Sequence, residues 1–119
     1  MNDVALSAAA TYNSDVVRID RCHVCSFDVA TTSGTDTAAG TFALQVCNDT
    51  DVASPNWIAV AFTDGTSTVT SVSFDLSAAE LQKFFNLENI GAKYIRAQVV
   101  TSAGGASDTI RVTAHVKNR

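Results

Sequence analysis

Cationic clusters, proline and long apolar runs are what this sequence lacks. Among its 119 residues, 1 is proline, 8 are Lys or Arg and 12 are Asp or Glu, for a net charge of −4. Nucleic acids and anionic membrane surfaces both attract proteins through basic patches. Arg18 and Arg21 lie close together, but Asp15, Asp20 and Asp28 surround them. Neither partner is expected. No apolar stretch approaches the ~20 residues of a membrane-spanning helix. The opening MNDVALSAAATYNSD has neither a basic start nor an uninterrupted apolar core, so it does not read as a secretory signal. Three cysteines without such a signal are expected to be reduced thiols in a protein made in a cytosol. The only histidines are His23 and His115, and no G-x-S-x-G, phosphate loop or H-E-x-x-H accompanies them. No enzyme is expected.

What is present is a compact, β-prone chain. Hydrophobic residues make up 46% and charged residues 17%, which fits one globular domain over residues 1–119. Ala, Thr, Ser and Val dominate, a profile that suits strands with small residues in the loops. So little surface charge also suits faces covered by neighbouring subunits.

The stretch GTFALQVCNDTDVASPNWIAVAF, residues 40–62, reads as the centre of the fold. Phe42, Leu44 and Val46 alternate with Ala43, Gln45 and Cys47, the period of a half-buried strand. Turn-type clusters follow at 48–51 and 54–56, and a second strand resumes at Trp57 with Ile58, Val60 and Phe62. Trp57, the only tryptophan, is expected to plug the core.

Around this hairpin, residues 4–12 read as an edge strand of the domain or as an arm, with residues 1–14 available to pack under a neighbour. Residues 16–31 alternate over a long run that turns polar near Arg21–His23, so two shorter strands with a bend between them are expected. Asp64-Gly65 predicts a tight turn. Thr70, Val72, Phe74 and Leu76 predict another half-buried strand. Ser77 followed by Glu80 has the form of a capping box, and Leu81, Phe84 and Phe85 fall at helical spacing, which predicts one short helix over 78–85. Residues 94–101 and 109–117 predict the last two strands. Together these predict an all-β antiparallel sandwich, of jelly-roll or Greek-key type, with one short helix.

Arg21-Cys22-His23-Val24-Cys25 is the most suggestive local motif for a metal, with Cys47 as a further ligand. Zinc sites usually draw on two separated pairs, and here there is one pair whose members face opposite sides of a regular strand. Ordinary thiols are the preferred reading, and no metal, cofactor or catalytic residue is assigned. Asn48, Asp49 and Asp51 form an acidic loop without the EF-hand spacing. Trp57, Tyr94 and Arg96 are the candidate ligand face, through aromatic stacking.

GTFALQVCND followed by Trp57, the later AKYIRAQVVTSAGG, and the closing strand ending at Lys117 are similar, in that order, to small β-sandwich structural proteins of tailed bacteriophages. The likeness spans roughly residues 40–117. More distantly the hairpin resembles discoidin-like carbohydrate-binding sandwiches, with Cys47 where those more often carry Ser. The first resemblance implies a non-enzymatic virion structural protein, in capsid, decoration or tail, which forms homo-oligomers with itself and contacts other virion proteins. The second implies the alternative: a host-receptor or glycan-binding module that uses Trp57, Tyr94 and Arg96.

Overall fold

The computed structural model describes residues 1–20, 22–35, 37–48, 55–87 and 92–118, and of residues 22–24, 106 and 118 only the backbone. The described strands are β1 (Val4–Leu6), β2 (Thr11–Asn13), β3 (Val17–Arg18), β4 (Cys22–Thr32), β5 (Ala39–Cys47), β6 (Ile58–Ala59), β7 (Phe62–Thr63), β8 (Thr68–Val69), β9 (Val72–Asp75), β10 (Gln82–Leu87), β11 (Tyr94–Ala103) and β12 (Gly105–Asn118). They form two antiparallel sheets. The first has the order β1-β12-β4-β10-β7-β8; the second has β2-β11-β5-β6, with β3 beside β11 and β9 beside β5.

Inward-facing residues of both sheets meet in one cluster. Phe27, Val29, Phe62, Phe85, Ile110 and Val112 come from the first sheet, and Phe42, Leu44, Phe74, Ile95, Ala97 and Val99 from the second. At its middle Phe42, Phe62 and Phe85 pack with ring centroids 4.9–6.1 Å apart, two of the contacts edge-on. The shortest dimension of the molecule is 20 Å, which two layers about 10 Å apart fill with their outward side chains.

Consecutive strands mostly lie in different sheets, and this divides segments whose alternation reads as continuous. Residues 16–31 split into β3 in the second sheet and β4 in the first, at the polar stretch where a bend was expected. The strand expected from Trp57 to Phe62 also splits. Ile58–Ala59 pairs with β5, and Phe62 crosses to the first sheet, where its ring is fully buried. The turn expected at Asp64-Gly65 links β7 and β8: Asp64 Oδ1 accepts the N–H groups of Thr66 and Ser67 at 2.8 Å, and Gly65 sits at φ +93°, a conformation glycine adopts without steric cost.

The expected helix over 78–85 is corrected. Among the described residues there is no helix, and this segment is one turn followed by β10, paired with β4 from Gln82 opposite Ala30 to Asn86 opposite Ser26. Ser77 does not cap a helix; its Oγ donates to Asp75 Oδ1 at 2.6 Å, and Glu80 accepts the N–H of Ser33. The hydrophobic spacing explains the misreading. Leu81 and Phe85, four apart, fit a period of 3.6 and a period of 2 equally well, and both are buried. Phe84 alone separated the two readings, and it is 51% exposed.

Residues 1–14, read as an edge strand or an arm, contribute to both layers of this same chain. β1 pairs with β12, from Val4 opposite Ile110, and β2 pairs with β11, from Tyr12 opposite Val99. Between them the chain crosses from one sheet to the other. Thr101 holds the crossing: its Oγ accepts the N–H of Ala10 at 3.0 Å and donates to the carbonyl of Ser7.

Candidate binding face on the second sheet

Alternation along β11 and β5 sends Ile95, Ala97 and Val99 inward against Val46, Leu44 and Phe42, and leaves Tyr94, Arg96, Gln98 and Val100 facing out beside Thr41, Ala43, Gln45 and Cys47. β2 adds Thr11 and Asn13 to this outer face, and β3 adds Arg18. The face is poor in charge because the strands that build it are rich in Thr, Gln and Ala.

A directed chain of polar side chains crosses it. Arg96 Nε donates to Gln45 Oε1 at 2.9 Å, Gln45 Nε2 donates to Gln98 Oε1 at 3.1 Å, and Gln98 Nε2 donates to Asn13 Oδ1 at 3.1 Å. Gln45 and Gln98 each accept on one side and donate on the other, so the links polarise one another and fix the side chains in register. At the chain's head the Arg96 guanidinium lies over the Trp57 ring, 4.4 Å from its centroid, a cation–π contact. Partial burial pulls the Arg96 pKa below its ordinary value, and the nearby Cys47 offsets part of that. Arginine stays charged regardless.

The structure therefore brings two of the three expected ligand-face residues into contact and puts Tyr94 on the same strand face, opposite Arg18. Trp57 is half-buried against this outer face; the core position expected of it is taken by the trio of phenylalanines. One face of its indole is occupied by Arg96, so that face offers no stacking surface to a sugar ring. What the arrangement presents is an aromatic, a guanidinium and three amides linked by hydrogen bonds on the outer face of the sheet.

The side chains of Cys22 and His23 and the acidic residues Asp49 and Asp51 lie outside the described residues. Cys25 is half-buried in β4 and Cys47 is buried in β5, so these two thiols belong to different sheets.

No protein-family model and no curated protein matches the chain. Among solved structures, the SPBc2 prophage-derived protein YomS is similar over 81% of this chain and 86% of that one, with 10% identity and a TM-score of 0.41.

Two features of the structure were not singled out from sequence. The Gln45–Gln98–Asn13 chain was half-visible, since Gln45 and Gln98 fall on outward positions of alternating strands; their pairing depended on which strands are neighbours. Asp108 gave no signal. It occupies an inward position of β12, where an apolar residue belongs, and is fully buried. Its carboxylate accepts backbone N–H groups from Gly34, Thr35, Thr37 and Ala38 at 2.8–3.0 Å. Burial pushes its pKa up, but these donors outweigh it and hold the carboxyl well below its ordinary range. A ring of N–H groups of this kind is an anion nest. Here the chain's own carboxylate fills it, tying the 33–38 loop to β12. Gly105 is needed beside it, because a Cβ there would run into the Asp108 carboxylate and the Thr35 hydroxyl.

Proposed function

We propose that this chain is a non-enzymatic structural protein of a bacteriophage virion, of capsid, decoration or tail, which works by assembling into symmetric copies. The observation that supports this best is the outer face of the second sheet. It combines Trp57, Tyr94 and Arg96 with Thr41, Ala43 and the 40%-exposed Val100, and the rigid amide chain crosses it. Depletion of charge with enrichment of Trp, Tyr and Arg is the composition of the centre of a protein–protein interface. Pre-ordered side chains also lower the entropy cost of docking. The partner face is another copy of this chain or another virion protein, and the chain is placed in the particle after synthesis in the host cytoplasm.

Light scattering coupled to size-exclusion chromatography tests the proposal. A mass several times 12.5 kDa is expected, and Ala43→Glu, which puts a carboxylate in the middle of the face, is expected to return the protein to a folded monomer. A wild-type chain that stays a monodisperse monomer at high concentration overturns the proposal.

A further inference from the structure

Each sheet turns one face outward, on opposite sides of a slab 20 Å thick, and the two faces differ in charge. On the second sheet the half-buried Arg96 guanidinium lies over Trp57, and among the described residues no carboxylate comes within 4 Å of it. Arg18, the other outward cation of these strands, is bound by Asp20 at 2.7 Å. On the first sheet the balance is reversed. Lys83 and Arg111 are bound by Asp64 at 3.2 Å and Asp3 at 3.3 Å, which leaves the neighbourhood of Asp28 and Glu80 acidic. Lys117 stands four positions along β12 from Thr113, the residue opposite Asp28, a separation of about 13 Å.

Phe84 is directly opposite Asp28 in the β10–β4 ladder and is 51% exposed. A ring half in water contributes little to the core, and its exposure on a strand face suits contact with a partner. Opposed residues of such a ladder have Cβ atoms about 4.5–5.5 Å apart. The Trp57 ring and the Arg96 guanidinium are 4.4 Å apart. An aromatic–carboxylate pair on one side of the slab thus matches an aromatic–guanidinium pair on the other in spacing, and opposes it in charge.

We infer that copies of this chain join head to tail. The Trp57–Arg96 face of one copy receives Phe84 and Asp28 of the next, with the Asp28 carboxylate on the Arg96 guanidinium. This rests on the assembly reading of the second sheet's face and names its partner surface. Two copies joined through their second sheets alone would offer Arg96 no free carboxylate among the described residues: Asp20 is taken by Arg18, and Asp15 lines the gap between the sheets with Met1 and Val112. The first sheet of another copy supplies one, in a charge-assisted bond beside two aromatic rings. Each face spans up to 41 by 35 Å, so covering somewhat more than half of one removes the ~800 Å² per partner of a standard interface. Unlike faces on opposite sides of a slab let the contact repeat, closing into a ring or extending as a stack according to the rotation between copies.

Size-exclusion chromatography with light scattering on two variants and their mixture tests this. Asp28→Arg sets a cation against Arg96, and Ala43→Glu sets a carboxylate against the acidic face. Both positions face outward, so both variants are expected to keep the wild-type melting temperature. Each alone is expected to run as a monomer. An equimolar mixture is expected to recover at least a dimer, twice the 12.5 kDa mass of the chain, because each variant brings the undamaged face that the other lacks. Phe84→Ala and Asp28→Asn, which remove only the ring or only the charge, are each expected to weaken association at least tenfold. A wild-type monomer overturns the assembly reading and this inference together. A wild-type oligomer whose mass survives Asp28→Arg, two folded monomeric variants that stay apart when mixed, or association unchanged in both Phe84→Ala and Asp28→Asn overturns the head-to-tail contact alone.

Discussion

Asp108 shows what one residue can contribute when its polar contacts are complete. Its four backbone donors hold the carboxylate ionised inside the protein, and those same N–H groups would be left unpaired without it. Asp64 is held down to about 2 by the N–H groups of Ser67 and Thr66 and by Lys83, and Asp75 is lowered by Ser77. All three have folded pKa values below their unfolded ones. The stability they confer is therefore complete above about pH 5 and is lost as pH falls through about 4 toward 2. Urea midpoints measured from pH 7 to pH 3 are expected to fall across that window. Asp108→Asn is expected to lower the pH 7 midpoint and flatten the decline, since an amide cannot receive four donors as a carboxylate does. A second residue-scale prediction concerns Ala9, held at φ +50° in the crossing between β1 and β2. A left-handed conformation costs a residue with a Cβ about 1–2 kcal/mol, and glycine returns part of this through its freer unfolded chain. Ala9→Gly is expected to raise stability by about 0.5–1 kcal/mol, read by chemical denaturation.

At the scale of the element, β10 is where pattern and structure part. Phe85 is buried at the centre of the aromatic trio and Phe84, its neighbour, is half in water. Phe85→Ala is expected to cost about 3–5 kcal/mol, against about 0.5 kcal/mol or less for Phe84→Ala, both read from urea unfolding. A helix over 78–85 would have made both costly. The strand content itself was legible: the inward sets Phe42/Leu44, Phe74/Leu76 and Ile110/Val112 are buried as alternation predicts. Less legible was which sheet each strand joins. Alternation records only that one side of a strand faces the core, and either sheet satisfies that. Hence Ile58 and Phe62, read as parts of one strand, lie in different layers, and so do Val17 and Val29, read as members of two strands joined by a bend. For the binding face, Trp57 and Arg96 were named from residue type, but the links through Gln45 and Gln98 depend on β5 lying beside β11, a pairing of strands about fifty residues apart.

For the whole molecule, the N-terminal segment joins both layers along their edges, through β1 on β12 and β2 on β11. Leu6 is 1% exposed there, and burying a leucine is worth about 1.5–3 kcal/mol. Removing residues 1–13 is expected to lower the melting temperature and to expose the edges of β11 and β12, seen as concentration-dependent aggregation by light scattering.

That seam also sets a timetable. Val4 meets Ile110 and Tyr12 meets Val99, so β1 and β2 are synthesised well before the strands they pair with. Contacts this distant along the chain close slowly, in milliseconds to seconds for β-rich domains. A nascent chain stalled before β11 has emerged is expected to stay open to protease, and full protection should arrive in one late step.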